Sequence, residues 1–166
     1  DPELTVRQGP APRVAPLRVV FDRRLRLPGT SKLALSARET PVLLLAGPAA
    51  TAEREAALAA LGVEVLRADG LAAVLRALRG RGVRSVLVEG GAGITAALLG
   101  IGAVDRLVIF QAPAVLGAGA LHAFAGARAA IVAEAPRWRV VQRKAFGPDL
   151  MTVYAPEAAD GVHRAD

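Results

Sequence analysis

The run Val88-Glu89-Gly90-Gly91-Ala92-Gly93-Ile94-Thr95 carries the clearest chemical potential in the chain. Its three glycines fall within four positions, after an apolar run and before an apolar stretch of helical character. Glycine admits positive φ and lacks the Cβ that would keep a pyrophosphate away from the backbone. Free amides of a helix's first turn then offer donors and a partial positive charge to phosphate oxygens, and Thr95 adds a hydroxyl. The spacing differs from the dinucleotide fingerprint G-x-G-x-x-G, and the run comes late in the chain. From the residues alone two readings stay open: a phosphate cradle, or a tight turn that lets the helix pack on its sheet. Glu89 favours the first, because open α/β sheets bind ligands beyond the carboxyl ends of buried strands.

Other chemistries lack their usual equipment. The chain has no cysteine, which excludes disulfides, thiolate nucleophiles and Cys-ligated metals. Of its two histidines, His122 sits among small apolar residues and reads as a structural or loop histidine, while His163 falls in the tail. No Ser-His-Asp set, metal-ligand spacing or Walker-type Lys is present, so no metal site is expected, hydrolysis and phosphoryl transfer lack their usual equipment, and chemistry supplied by a cofactor stays open. The net charge of +6 is carried almost wholly by Arg spread along the chain, with 4% aromatics. That pattern lacks the basic stripe of a nucleic-acid binder. It suits a phosphorylated small molecule, which Arg forks match, although a compositional taste for Arg and Ala accounts for much of it. Apolar residues make up 53% of the chain, but no run approaches the ~18 residues of a membrane span. A soluble protein of a bacterial-type cytoplasm is expected, and 166 residues suit one domain.

Positioning these residues requires a sheet. Residues 1–15 read as an extended arm. Leu17 to Asp22 forms a β-rich run ending in an Arg- and Pro-rich turn. Pro41-Val42-Leu43-Leu44-Leu45-Ala46-Gly47 has the continuous apolar pattern of a central strand buried on both faces. Thr51 caps a helix through Leu61, Val63 to Leu66 returns as a strand, and a helix beginning at Asp69 carries the stripe Leu71, Val74, Leu75 and Leu78. Ser85-Val86-Leu87-Val88 reads as another buried strand, followed by the glycine turn and a helix to about Leu99. Asp105 to Gln111 is the next strand. This alternation predicts right-handed βαβ crossovers. Trp138 to Ala145 and Leu150 to Ala155, joined by Phe146-Gly147-Pro148-Asp149, predict an antiparallel hairpin.

In one order, Asp1-Pro2-Glu3-Leu4-Thr5-Val6-Arg7, Pro16-Leu17-Arg18-Val19-Val20-Phe21-Asp22, Val88-Glu89-Gly90-Gly91, Ala112-Pro113-Ala114-Val115-Leu116-Gly117 and Phe146-Gly147-Pro148-Asp149 occur along the chain. The series resembles the carboxyl-terminal reductase domain of bifunctional riboflavin-biosynthesis deaminase/reductases. The resemblance runs to about Ala155 and implies a dihydrofolate-reductase-like α/β fold: three layers, a mostly parallel central sheet and an antiparallel C-terminal hairpin. It further implies NADPH as cofactor, and reduction of the ribosyl group of 5-amino-6-(5-phosphoribosylamino)uracil to the ribityl group. By the same resemblance Leu4, Arg7 and Glu89 contact the phosphorylated ribosylaminopyrimidine substrate. Gly91, Ala92, Gly93, Ile94, Thr95, Ala96 and Ala97 match the NADPH-binding stretch. Arg23 stands where the family often has a Ser that touches the cofactor, and a guanidinium there can reach the 2′-phosphate. The family's Pro-Lys-Leu-Leu-Gly pattern is Pro113-Ala114-Val115-Leu116-Gly117 here, without the Lys.

The resemblance implies a homodimer, with a zinc deaminase domain on the amino-terminal side in bifunctional members. Relatives carry a first strand and helix before the Asp-Pro motif, so a reductase domain over residues 1–155 lacking those elements is expected, then a disordered tail over 156–166. The alternatives are a related NADPH reductase acting on another pteridine or pyrimidine, and a non-catalytic nucleotide-binding remnant.

Overall fold

Five consecutive apolar residues between Pro41 and Gly47 form a strand with no exposed face, β2 (Val42–Ala46), and the amino-terminal part of the molecule is organised around it. The structure is a computed structural model that describes residues 1–6, 9, 12–126 and 135–157. It falls into two units, Asp1–Ser85 and Val86–Asp166.

In the first unit β1 (Arg18–Phe21), β2 and β3 (Glu64–Arg67) form a parallel sheet in the order β1-β2-β3. Val19 pairs with Leu43, and Leu44 with Val65. Alternation along β2 divides its side chains between two cores. Val42, Leu44 and Ala46 pack with Leu25, with Leu33 and Ala34 of α1 (Lys32–Leu35), and with Leu58 of α2 (Ala52–Ala60). Leu43 and Leu45 pack with Val74 and Leu78 of α3 (Leu71–Gly80). Helices thus cover both faces, the α/β layering expected for a parallel sheet.

Thr51 caps α2 as its position predicted, its side chain accepting from Arg54 N at 3.3 Å. α3 begins at Leu71 rather than at Asp69, with Gly70 as its N-cap and no side-chain hydrogen bond there. The short helix α1 is absent from the expected pattern, and its cap is Ser31.

The second unit holds α4 (Ala92–Gly100), β4 (Leu107–Gln111), β5 (Trp138–Phe146) and β6 (Asp149–Pro156). The last three form an antiparallel sheet in the order β4-β6-β5. The expected hairpin is β5–β6, closed where Phe146 pairs with Asp149. Gly147 has φ 59°, and glycine followed by proline suits the first and second central positions of a type II′ turn. β6 continues through Pro156, and residues 158–166 of the expected tail lie outside the described residues.

One expected strand does not form. Residues 85–88 form no strand, and Val86, Leu87 and Val88 are 43%, 81% and 38% exposed. Their composition is that of an inner strand, but a strand exists only where a neighbour completes its ladder. The two three-stranded sheets contain no strand paired to this segment. Glu89 therefore follows an irregular segment rather than a buried strand.

A candidate nucleotide and substrate site

In the second unit the glycine run adopts the conformation its composition allows. Gly90 has φ 121° and Gly91 φ 91°, values a side-chain-bearing residue rarely takes. Gly91 is the N-cap of α4 and provides no side-chain hydrogen bond, so the first-turn amides of Ala92, Gly93 and Ile94 keep their donors free of a side-chain cap. A Cβ at Gly90 or Gly93 would meet nothing within 4 Å, whereas one at Gly91 would come within 3.3 Å of Ile94 Cγ2. The approach to this helix end is open on the glycine side, and the partial positive charge of the end favours an anion there. Glu89, Gly93 and Ala97 are exposed, and Ala92, Ile94, Thr95 and Ala96 are half-buried. Ala125 N donates to Ala92 O at 3.2 Å, tying the loop that carries exposed His122 to the same helix end.

In the first unit a second set of groups gathers at the carboxyl ends of the parallel strands. Asp22 follows β1, is buried, and accepts from Leu27 N at 2.7 Å and Arg24 N at 3.4 Å. Arg26 lies 3.8 Å from the same carboxylate. Asp22 therefore folds the Arg-rich segment back on itself in an Asx-type turn, leaving the Arg23 and Arg24 side chains exposed. Gly47, just beyond β2, donates its N–H to Arg23 O at 3.0 Å. A Cβ at Gly47 would sit 3.3 Å from Arg23 Cβ and O, so glycine permits this close approach. The Arg54 Nε–H donates to Leu25 O at 3.1 Å from the first turn of α2. The result is a turn of fixed backbone presenting guanidinium groups where parallel sheets receive ligands.

Leu4 reaches the same unit from the arm. It is half-buried against the cluster containing Leu25 and Leu33, and its φ of 52° is left-handed, uncommon for a branched residue. Leu4 and the loop of Arg23 thus share one cluster through Leu25, while Glu89 and the glycine run form a contiguous group in the other unit. Arg7 lies outside the described residues. Among those residues no three His, Asp or Glu side chains are placed to hold a metal ion, and no helix is long and apolar enough to cross a membrane.

Sequence reasoning passed over Arg18. It lies in an apolar strand and is 3% exposed. Burial lowers the pKa of its guanidinium, partly countered by the Glu3 carboxylate. The only sign in the sequence was a charge interrupting the run Leu17-Arg18-Val19-Val20.

The sequence family described as the RibD C-terminal domain matches residues 1–152. The riboflavin biosynthesis protein RibD of Aquifex aeolicus is 30% identical over 156 residues, covering 93% of this chain and 42% of the relative. The 2,5-diamino-6-ribosylamino-4(3H)-pyrimidinone 5′-phosphate reductase of Methanothermobacter thermautotrophicus is 30% identical over 159 residues, covering 93% of this chain and 73% of the relative. Among solved structures, form 2 of Acinetobacter baumannii RibD superposes with a TM-score of 0.80 at 28% identity, covering 93% of this chain and 43% of that one. The chain spans less than half the length of the curated RibD relatives it matches. The fold is the dihydrofolate-reductase-like α/β fold that the ordered motifs led us to expect.

Proposed function

The chain belongs to the RibD C-terminal domain family, and on that premise we propose that it performs the NADPH-dependent reduction of the ribosyl group of 5-amino-6-(5-phosphoribosylamino)uracil to the ribityl group. The observation that carries this reading is the glycine run. Two left-handed glycines open an uncapped helix end with clear space at Gly90 and Gly93, in the stretch that the sequence resemblance assigns to the cofactor. These features fit a dinucleotide pyrophosphate.

When bound, the reduced nicotinamide would supply a hydride to C1′ of the sugar as the C1′–O4′ bond breaks, the ring oxygen taking up a proton to become the 4′-hydroxyl of the ribityl chain. The protein's part is binding and orientation. The amides of Ala92, Gly93 and Ile94 hold pyrophosphate oxygens, and the remaining stretch, Thr95, Ala96 and Ala97, lines the same helix end. Arg23, backed by Gly47, supplies the cation for a 2′-phosphate. Arg7 grips the substrate phosphate through its fork, Leu4 provides an apolar contact beside it, and Glu89 offers a carboxylate to substrate N–H donors. In this reading residues 1–155 act as one reductase domain of a cytoplasmic homodimer, in company with a zinc deaminase domain.

The archaeal relative favours a second reading. The substrate for which that reductase is named keeps an amino group on the pyrimidine where the uracil has a carbonyl, and on this reading the chain would reduce the sugar before deamination. A single assay series separates the readings. NADPH oxidation is followed with the aminouracil phosphate, the diaminopyrimidinone phosphate and dihydrofolate. The uracil is expected to turn over fastest, and Gly93→Val to raise the KM for NADPH about tenfold with an unchanged melting temperature. Gly93 is the better probe than Gly91, where positive φ strains any larger residue. Faster turnover of the diaminopyrimidinone establishes the second reading. Nucleotide binding without turnover of any substrate makes the chain a non-catalytic remnant, and unchanged cofactor affinity in the Gly93 variant removes the phosphate cradle.

A further inference from the structure

Residues 1–6 of the amino-terminal arm are pinned to their unit at a few points. Arg18 Nη1 donates to Glu3 O at 3.1 Å and to Ser36 Oγ at 2.9 Å, and Nη2 donates to Ser36 O at 3.2 Å and to Thr40 O. One guanidinium therefore joins the arm, the C-cap of α1 and the turn before β2. Lys32 pins the arm from the other side. Its Nζ lies 3.3 Å from the Glu3 carboxylate, and its backbone N–H faces the Asp1 carboxylate at 3.2 Å. Between these pins lies an open recess of about 420 Å³, bordered by Thr5, Leu35 and Glu39.

Stability alone does not call for an arginine at this place. Arg18 Nε is buried without a partner, so part of the cost of desolvating this guanidinium goes uncompensated. What the guanidinium adds is position. Its acceptor on the arm is the carbonyl of the peptide joining Glu3 to Leu4, the residue held at left-handed φ, and such outliers persist only where their surroundings over-determine them.

We propose that Arg18 is a positioning residue that clasps the arm through Glu3, fixes Leu4 in its left-handed conformation, and thereby sets the affinity for substrate while leaving that for cofactor unchanged. The substrate part rests on the reading that the arm meets substrate; the clasp itself does not.

The test compares Arg18→Met, Arg18→Lys and Lys32→Ala with the unaltered chain. Arg18→Met should fold, and the backbone amide order parameters of Glu3, Leu4, Thr5 and Val6 should fall from about 0.85 toward about 0.6. Its KM for substrate should rise about tenfold, with the KM for NADPH within about twofold and kcat little changed. Arg18→Lys keeps a cation and should recover part of both effects. If Arg18→Met does not fold, Lys32→Ala loosens the arm with Arg18 in place and should show the same pattern at smaller size. Unchanged arm order parameters in the folded variants overturn the clasp, and equal rises in both KM values overturn its link to substrate. If the unaltered chain turns over no substrate, the proposed function falls while the arm order parameters still decide for or against the clasp.

Discussion

β2 and β6 are both the middle strands of three-stranded sheets, yet they are held in different ways. All five residues of β2 are buried, three toward one helical layer and two toward the other. Of the eight residues of β6 only Thr152 and Ala155 are buried, and in neighbouring β5 every residue but Trp138 is exposed. Side-chain burial fixes the parallel sheet, where a register slip would exchange two filled cores. The antiparallel sheet relies on its hydrogen-bond ladder, its turn and a few surface contacts. Those contacts include the Phe110 and Phe146 rings, 6.0 Å apart, and Lys144 Nζ 4.8 Å from the Phe146 ring.

Leu44→Ala should give the largest effect, about 2–5 kcal/mol of lost stability in a chemical melt, because it opens a cavity between β2 and its helices. A loss under about 1 kcal/mol would mean that β2 is not the centre of the fold, since buried leucines rarely cost so little. Thr51→Ala removes the cap of α2 and should cost about 1 kcal/mol, with amide exchange rising at the start of that helix and not in β5 or β6. Phe110→Ala, in the exposed sheet, should cost about 0.5 kcal/mol through its ring contact alone. A Phe110 effect as large as that of Leu44 would break the contrast between the sheets.

The parts of the fold legible in the sequence are those whose cause is local. Pro41 and Gly47 bracket β2, Thr51 begins α2, and Gly147-Pro148 turns the hairpin, each through chemistry within a few residues. α1 was missed because a single turn from Lys32 to Leu35 is too short to show a period, and it rests on the Ser31 cap and on packing. Residues 85–88 were misread because Val86, Leu87 and Val88 have strand propensity, which is only a tendency to fit a pleated, half-covered surface. The site divides in the same way. Gly90 and Gly91 announced their positive φ, whereas Arg18 depends on carbonyls of Glu3, Ser36 and Thr40, which become neighbours only after folding. The turn-building role of Asp22 was invisible for a similar reason, although its place at the end of β1 was not.

The Gly147-Pro148 turn bears on the order in which the chain can fold. Phe146 meets Asp149 directly across it, whereas Arg18 must find Val42 and Leu43 must find Glu64 over intervening helices. Hairpins close in about 1–10 μs, while pairings at long sequence separation wait on costlier loop closure. The least buried sheet of the molecule therefore contains the strand pair that an unfolded chain reaches soonest, and β2, the most buried strand, joins its neighbours only once its crossovers have closed.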